Sequence, residues 1–296
     1  MQFPSLIISI SILLFGAYIL RIGPRKPVQK YFFLLCLFLS LWCSAFALRG
    51  LVPVEYRNLA LNLTAIPSIF APYIFFRLVR SIAGEEKINK VFLFLNLLIV
   101  LYFVLCGLSS SFGKLTDPET FQAEGFINYH LLNLYCGLFL AWSIFLMAKN
   151  CYRTKGMVKV QSVLLLAGSL LALLICLSFV YFLPFQGINR SYLSSFGVAI
   201  FLFLWSIAII QYDVFEIREE LLQGNTVSFL NRLTWKPVLM LYRIIDSEDY
   251  NSRLFLSQRN ALAEIVGYDY YLLSKISSSE EEILEALWVK FRNYLR

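Results

Sequence analysis

Seven stretches of this chain hold no Asp, Glu, Lys or Arg and are long enough to cross a bilayer: residues 1–20, 31–48, 58–76, 91–113, 125–148, 160–189 and 191–212. About 20 consecutive apolar residues span the hydrocarbon core as a helix. Inside that core the backbone must satisfy its own hydrogen bonds, so a span is either a helix or part of a closed barrel. Barrel strands alternate apolar and polar residues, and these stretches do not. The chain therefore reads as an all-α integral membrane protein built on a seven-transmembrane helix bundle. Composition agrees: 59% of residues are hydrophobic and 15% are charged, whereas soluble domains carry about 25% charged residues. The first stretch lacks a charged leader region and meets Arg21 in place of a small-residue cleavage site, so it reads as a span, not a removable signal.

Orientation follows from the short loops, because Lys and Arg concentrate on the cytoplasmic side. Arg21, Arg25, Lys26 and Lys30 lie in the first loop, Arg77, Arg80, Lys87 and Lys90 in the third, and Lys149, Arg153, Lys155 and Lys159 in the fifth. The opposite side has Arg49, Arg57, Lys114 and Arg190. The bias places the N-terminus outside and the C-terminus inside. The longest outside loop, about 110–127, is acidic through Asp117, Glu119 and Glu124. It is either a solvated connection or part of a sensing face.

Charge divides the chain after Tyr212. Residues 1–212 carry a net charge of +10 and residues 213–296 a net of −3, giving a transmembrane domain at 1–212 and a small, mostly helical cytoplasmic tail at 213–296. The basic excess sits in membrane loops, which argues against nucleic acid as a partner. In the tail, Glu216–Gln223 extends the last membrane helix up to Gly224, Val238–Ile245 is ambiguous between strand and helix, Asp246–Ser252 reads as a polar turn, and about 254–275 as a helix despite Gly267. Ser279 and Glu282 form a capping box for a terminal helix. Ile283, Leu284, Leu287, Trp288, Phe291 and Leu295 form its apolar stripe. That stripe packs on the tail's own helix, or it meets a second copy of the chain or a cytoplasmic signalling partner, with Leu284, Leu287, Trp288 and Phe291 as the contact.

Catalytic patterns are missing. The six cysteines form no Cys-x-x-Cys pair and mostly lie in apolar runs, where Cys behaves as a small hydrophobe. With a single histidine, His130, a metal site has too few donors, and no cofactor is expected. The last span has no Lys for a retinal Schiff base. Tyr212–Asp213 and Tyr268–Asp269 match half of an aspartyl-protease motif, but neither lies mid-membrane and the spans hold no second Asp. The tail has no histidine to phosphorylate and no Gly-rich phosphate loop. Polar groups inside the spans, such as Asn62, Thr64, Asn96 and Asn133, suit interhelical hydrogen bonds. Pro67 and Pro72 predict a bent third helix. Together with His130 and Asn133 they mark a candidate ligand pocket in the outer halves of helices three to seven.

Three segments, in order along residues 1–217, resemble the seven-transmembrane N-terminal sensing region of bacterial sensor histidine kinases and diguanylate cyclases. The first is Gly16-Ala-Tyr-Ile-Leu-Arg21, a basic loop with Pro24 and Arg25, then Phe32–Leu48 with Trp42 and Ala47. The second is the Pro- and Phe-rich Pro67–Phe76 followed by Arg77. The third is the exit Ala208-Ile-Ile-Gln-Tyr-Asp-Val-Phe-Glu-Ile217. The resemblance implies a sensory module. It implies no kinase activity here, because the expected downstream catalytic domains do not follow. The expected function is signalling without an output enzyme of its own. The rival functions are a small neutral-substrate transporter or channel, and a lipid-acting membrane enzyme. Reporter fusions test the orientation: those after Ile22 and Arg296 should be active only as cytoplasmic reporters, and one after Lys114 only as an external reporter. External activity at Arg296 would reverse the topology.

Overall fold

A computed structural model describes residues 3–21, 27–85, 89–119, 121–188, 190–210, 214–222, 227–275, 283–285 and 287–289. Among them are seven helices apolar and long enough to span a membrane: Pro4–Arg21, Pro27–Leu51, Val54–Ile82, Lys90–Leu108, Ile127–Arg153, Gly156–Phe182 and Ser191–Ile210. They correspond one for one to the charge-free stretches. The chain divides into two compact units, residues 1–152 with 162–209, and residues 153–161 with 210–296.

In the first unit, α1 (Phe3–Arg21) packs along α2 (Pro27–Leu48), and α2 along α4 (Ile66–Ile82). Helices in lipid gain nothing from burying apolar surface against each other, so small residues and hydrogen bonds hold them. Ser9 Oγ lies 2.9 Å from Ser40 Oγ and donates to the Ser40 carbonyl at 2.8 Å. One turn-pair along, Gly16 lets the helices meet: a Cβ there would stand 2.6 Å from Cys36 Cβ. The same device joins α7 (Gly156–Cys176) to α9 (Ser194–Ile210). There the Trp205 indole donates to the Leu165 carbonyl at 3.0 Å and to Ser169 Oγ at 3.1 Å. A Cβ at Gly168 would lie 3.1 Å from the Trp205 ring. Between α5 (Lys90–Leu108) and α6 (Ile127–Arg153), Tyr135 donates to Asn96 Oδ1 at 3.1 Å. A cluster of Ile69, Val100, Phe103, Phe112, Leu132 and Tyr135 surrounds that bond.

Two spans depart from regular helices. The third is interrupted at one residue: α3 (Arg57–Thr64) stops at Ala65, which keeps helical backbone angles, and α4 begins at Ile66. Pro67 sits in the first turn of α4, where its missing N–H costs nothing. Pro72 remains inside α4. The sixth span, an uninterrupted run in sequence, widens into a π-helix over Leu177–Phe182 before the single turn α8 (Leu183–Phe185). Pro184 has no N–H for the Val180 carbonyl, and the Tyr129 hydroxyl donates to that carbonyl at 2.8 Å instead. The acidic loop also holds a feature beyond the all-helical expectation. It forms an antiparallel hairpin, β1 (Gly113–Asp117) with β2 (Gln122–Gly125).

The second unit contains α10 (Val214–Leu222), α11 (Phe229–Ile245) and α12 (Ser247–Lys275). The ambiguous segment 238–245 is helical, as part of α11. The expected polar turn at 246–252 is a correction: only Asp246 breaks the helix, and Ser247 already begins α12. Its polar residues are helix-start residues. The Asp246 carboxylate accepts from the Asp249 amide at 3.4 Å, and Glu248 and Asp249 occupy the first turn, where acids favour the helix dipole. The Gly156 amide donates to the same carboxylate at 2.9 Å and holds it below the usual carboxylate range. The rings of Phe215, Tyr242 and Tyr250 pack together, and Tyr242 also bonds Asp249. Tyr212, Gln223, Gly224, Ser279, Glu282, Phe291 and Leu295 lie outside the described residues.

The Gly16 contact generates a stability test. Gly16→Leu should drive α1 off α2 and lower the melting temperature of the detergent-solubilised protein, consistent with an overpacking cost of about 1–3 kcal/mol. Gly16→Ala should fall between the two. An unchanged melting temperature for Gly16→Leu would mean that the α1–α2 seam contributes nothing.

Candidate ligand cavity

The break at Ala65 positions a lid. On α3, Asn58 and Asn62 stand one turn apart and face β1. Asn62 Oδ1 accepts from the amides of Phe112 and Gly113 at 2.9 and 3.2 Å, while its Nδ2 donates to the Gly113 and Asn58 carbonyls at 3.0 and 2.8 Å. Asn58 Oδ1 accepts from the Leu115 amide at 2.9 Å. Arg57 donates to the Pro118 carbonyl at the hairpin turn at 2.8 Å and to the Val52 carbonyl at 3.1 Å. The hairpin is thus tied down along its length by one short helix. Gly113 makes the pairing with Gly125 tight, since a Cβ there would lie 2.7 Å from the Glu124 carbonyl oxygen.

Beneath the hairpin lies a cavity of about 330 Å³. The walls come from α2, α4, α6, α7 and α9, with α3 and the hairpin above. They are mainly apolar, with Leu39, Trp42, Phe75, Leu140 and Phe201 among them. The size is at the lower end of ligand pockets, and an apolar wall with a few fixed polar groups is their usual chemistry. Most polar side chains in the wall are already engaged. Thr64 donates to Ala60, Ser68 to Ala65, Asn133 to Tyr129 and Ser169 to Leu165, all backbone carbonyls at 2.7–2.8 Å.

Two residues at the top of the cavity stand apart. Phe121 is buried yet holds φ at +56°, a backbone region that bulky residues rarely occupy. Its ring is held between two guanidinium groups, Arg49 at 4.7 Å and Arg57 at 5.6 Å. Arg49 is itself only 5% exposed. It donates to Ser191 Oγ at 3.2 Å and covers the Phe46 ring at 5.0 Å, while its Nε has no hydrogen-bond partner.

Of the sequence-derived candidates, Pro72 and Asn133 line the cavity. Pro67 lies in the first turn of α4 between the lining residues Ala65 and Ser68. His130 is outside the wall, with Nδ1 3.3 Å from the hydroxyl of Tyr181, which does line it. The second helix contributes more than the expected helices three to seven allowed for, through Leu35, Trp42, Phe46 and Arg49. By sequence, Arg49 belongs with the basic residues of the outside loops. Its place directly after a charge-free span, within a spanning helix that runs on to Leu51, was the available signal. In the tail, Leu284 and Trp288 are exposed and Leu287 is half-buried, while Phe291 is beyond the described residues. Among the described residues no group of three or more His, Cys, Asp or Glu is placed to hold a metal.

Removing Asn62 tests the lid. Asn62→Ala leaves buried amides without an acceptor, at about 1–3 kcal/mol each. Cys136 and Cys176, both in the cavity wall, should then react faster with a charged thiosulfonate, read site by site by mass spectrometry. Equal rates in wild type and variant would show that the hairpin does not control access.

A family model described as the N-terminal 7TM region of histidine kinase matches residues 5–218. No curated protein and no solved structure matches.

Proposed function

Because this chain belongs to the family of N-terminal seven-transmembrane regions of histidine kinases, we propose that it is a sensory module whose signal is a small molecule held in the hairpin-capped cavity. The single observation that carries this reading is the cavity itself, built inside the bundle and bordered by a hairpin with its own anchoring helix. The basic bias of the loops supports an outside hairpin and an inside tail, in a bacterial inner membrane. Occupancy would act by selecting between two helix packings, and only a ligand that binds one packing better can shift their balance. Val198 and Phe201 on α9 line the cavity, and the chain runs from α9 through residues 211–213 into α10. A change in α9 packing is thereby delivered to the tail by covalent connection.

We assign no catalysis to the tail. Residues 213–296 contain no histidine, and their role in this reading is to relay. The relay would contact a second copy or a cytoplasmic signalling partner through the stripe of Leu284, Leu287, Trp288 and Phe291. The exposure of Leu284 and Trp288 supports a contact there.

Filling the cavity separates a sensor from a transporter. Ala172, in the wall on α7, replaced by Phe should change amide exchange across residues 214–222 of the full chain in nanodiscs by about fivefold or more, within the range of allosteric couplings. Wild-type proteoliposomes should pass no glycerol. Unchanged exchange combined with glycerol flux that Ala172→Phe abolishes would replace the sensor with a neutral-solute carrier.

A further inference from the structure

The cavity wall holds a buried cation that forms no ion pair among the described residues, and it is placed where a ligand head would sit. Arg49 lines the wall just under the hairpin. A guanidinium has five N–H donors in a planar fork and stays charged. Of these, only the contact with Ser191 is made among the described residues, and Nε is bare. Phe46 and Phe121 cover the cation with their rings, which leaves the N–H edge as its means of binding. Burying a lone charge is costly unless an opposite charge meets it. Here no carboxylate does so among the described residues. Glu124, the one acidic residue in the wall, is exposed on β2 and forms no ion pair with Arg49.

We propose that the cavity binds an amphiphilic monoanion, with its carboxylate or phosphate-type head on the Arg49 fork and its apolar body among Trp42, Phe75 and Phe201. Three features of the wall set this class. One cation with a carboxylate at the rim suits a single negative charge and disfavours polyanions. Most of the wall is apolar, and most of its other polar side chains are already engaged within the protein, so a sugar or a peptide would bury groups it could not satisfy. The volume admits one short chain or a small aromatic body. A charge-assisted, two-pronged hydrogen bond to a guanidinium is among the stronger polar contacts available. The head would meet Arg49 from beneath Phe121, so occupancy would bear on the strained residue of the lid. This inference rests on the sensory reading for its biological role only; the binding itself requires no output.

The test uses the full chain in phosphatidylcholine nanodiscs, with decanoate and decanol as paired probes in isothermal titration. Decanoate should bind saturably and about tenfold or more tighter than decanol, the margin of a charged hydrogen bond. Arg49→Met should erase that difference while leaving decanol binding in place. Arg49→Lys should retain part of it, because the charge remains and the fork is lost. The comparison of the two probes on wild type holds even if Arg49→Met fails to fold. Equal affinities for decanoate and decanol, or an unchanged decanoate preference in a folded Arg49→Met, overturns the assignment. Adding phosphatidylglycerol to the discs distinguishes the sources of the anion. Competitive weakening of decanoate assigns the site to a headgroup drawn from the bilayer, and no effect assigns it to a solute from the aqueous phase. Decanoate binding without any change in amide exchange at 214–222 would sustain this site and defeat only the sensory reading.

Discussion

Inside lipid there is no water to satisfy a backbone amide or carbonyl, and each group left bare costs several kcal/mol. Six of the spans meet this by staying helical from end to end, one of them as a widened helix, and the architecture is set by where the chain departs from a continuous α-helix. Each departure has a named partner. At the α3–α4 break, the chain tightens into i→i+3 bonds, the Ala65 amide donating to the Asn62 carbonyl at 3.2 Å and the Ser68 amide to the Ala65 carbonyl at 3.1 Å. At the widened end of the sixth span, the Tyr129 hydroxyl takes the Val180 carbonyl that Pro184 cannot serve. Asn62, Ala65 and Tyr129 all line the cavity. The cavity is thus bordered by irregular backbone, which membrane proteins tolerate only where protein or an internal cavity receives it.

The same economy explains the lid. A two-stranded hairpin is marginal on its own. This one is stable because Asn58, Asn62 and Arg57 anchor it and because Phe112 and Phe121 are buried beneath it. Phe121 accepts an unfavourable φ because its ring is clamped by Arg49 and Arg57. Strain of that kind, of order 1–3 kcal/mol, persists only where the surroundings over-determine it. It lies directly above the buried charge, so lid and candidate ligand head share one set of contacts.

Some of this was legible in the residues and some was not. The spans were legible because a run without charges has only one low-energy environment at that length. Pro67 and Pro72 announced a disturbed third span, though not that the break falls at Ala65. Pro184 went unread because a proline near a helix end has many outcomes, and only the Tyr129 hydroxyl stabilises this one. The hairpin was hidden because residues 110–127 show no clear alternation. Its strands are held by side chains from α3, about 50 positions away. In the tail, the polar run after Asp246 gave the composition of a turn, while the amide of Gly156 makes Asp246 a capping residue from 90 positions away.

Arg49 draws the line between the two kinds of knowledge. By itself, the sequence determined seven spans, a change of character after Tyr212 and the family to which residues 5–218 belong, because each depends on local composition or on patterns in order along the chain. Whether Arg49 faces water or is buried in a cavity wall depends on Phe46, Phe121 and Ser191, which converge on it from three separate segments. Burial and desolvation are properties of what surrounds a group in space. Only the tertiary structure could turn a loop cation into a buried cation in the wall of a mainly apolar pocket.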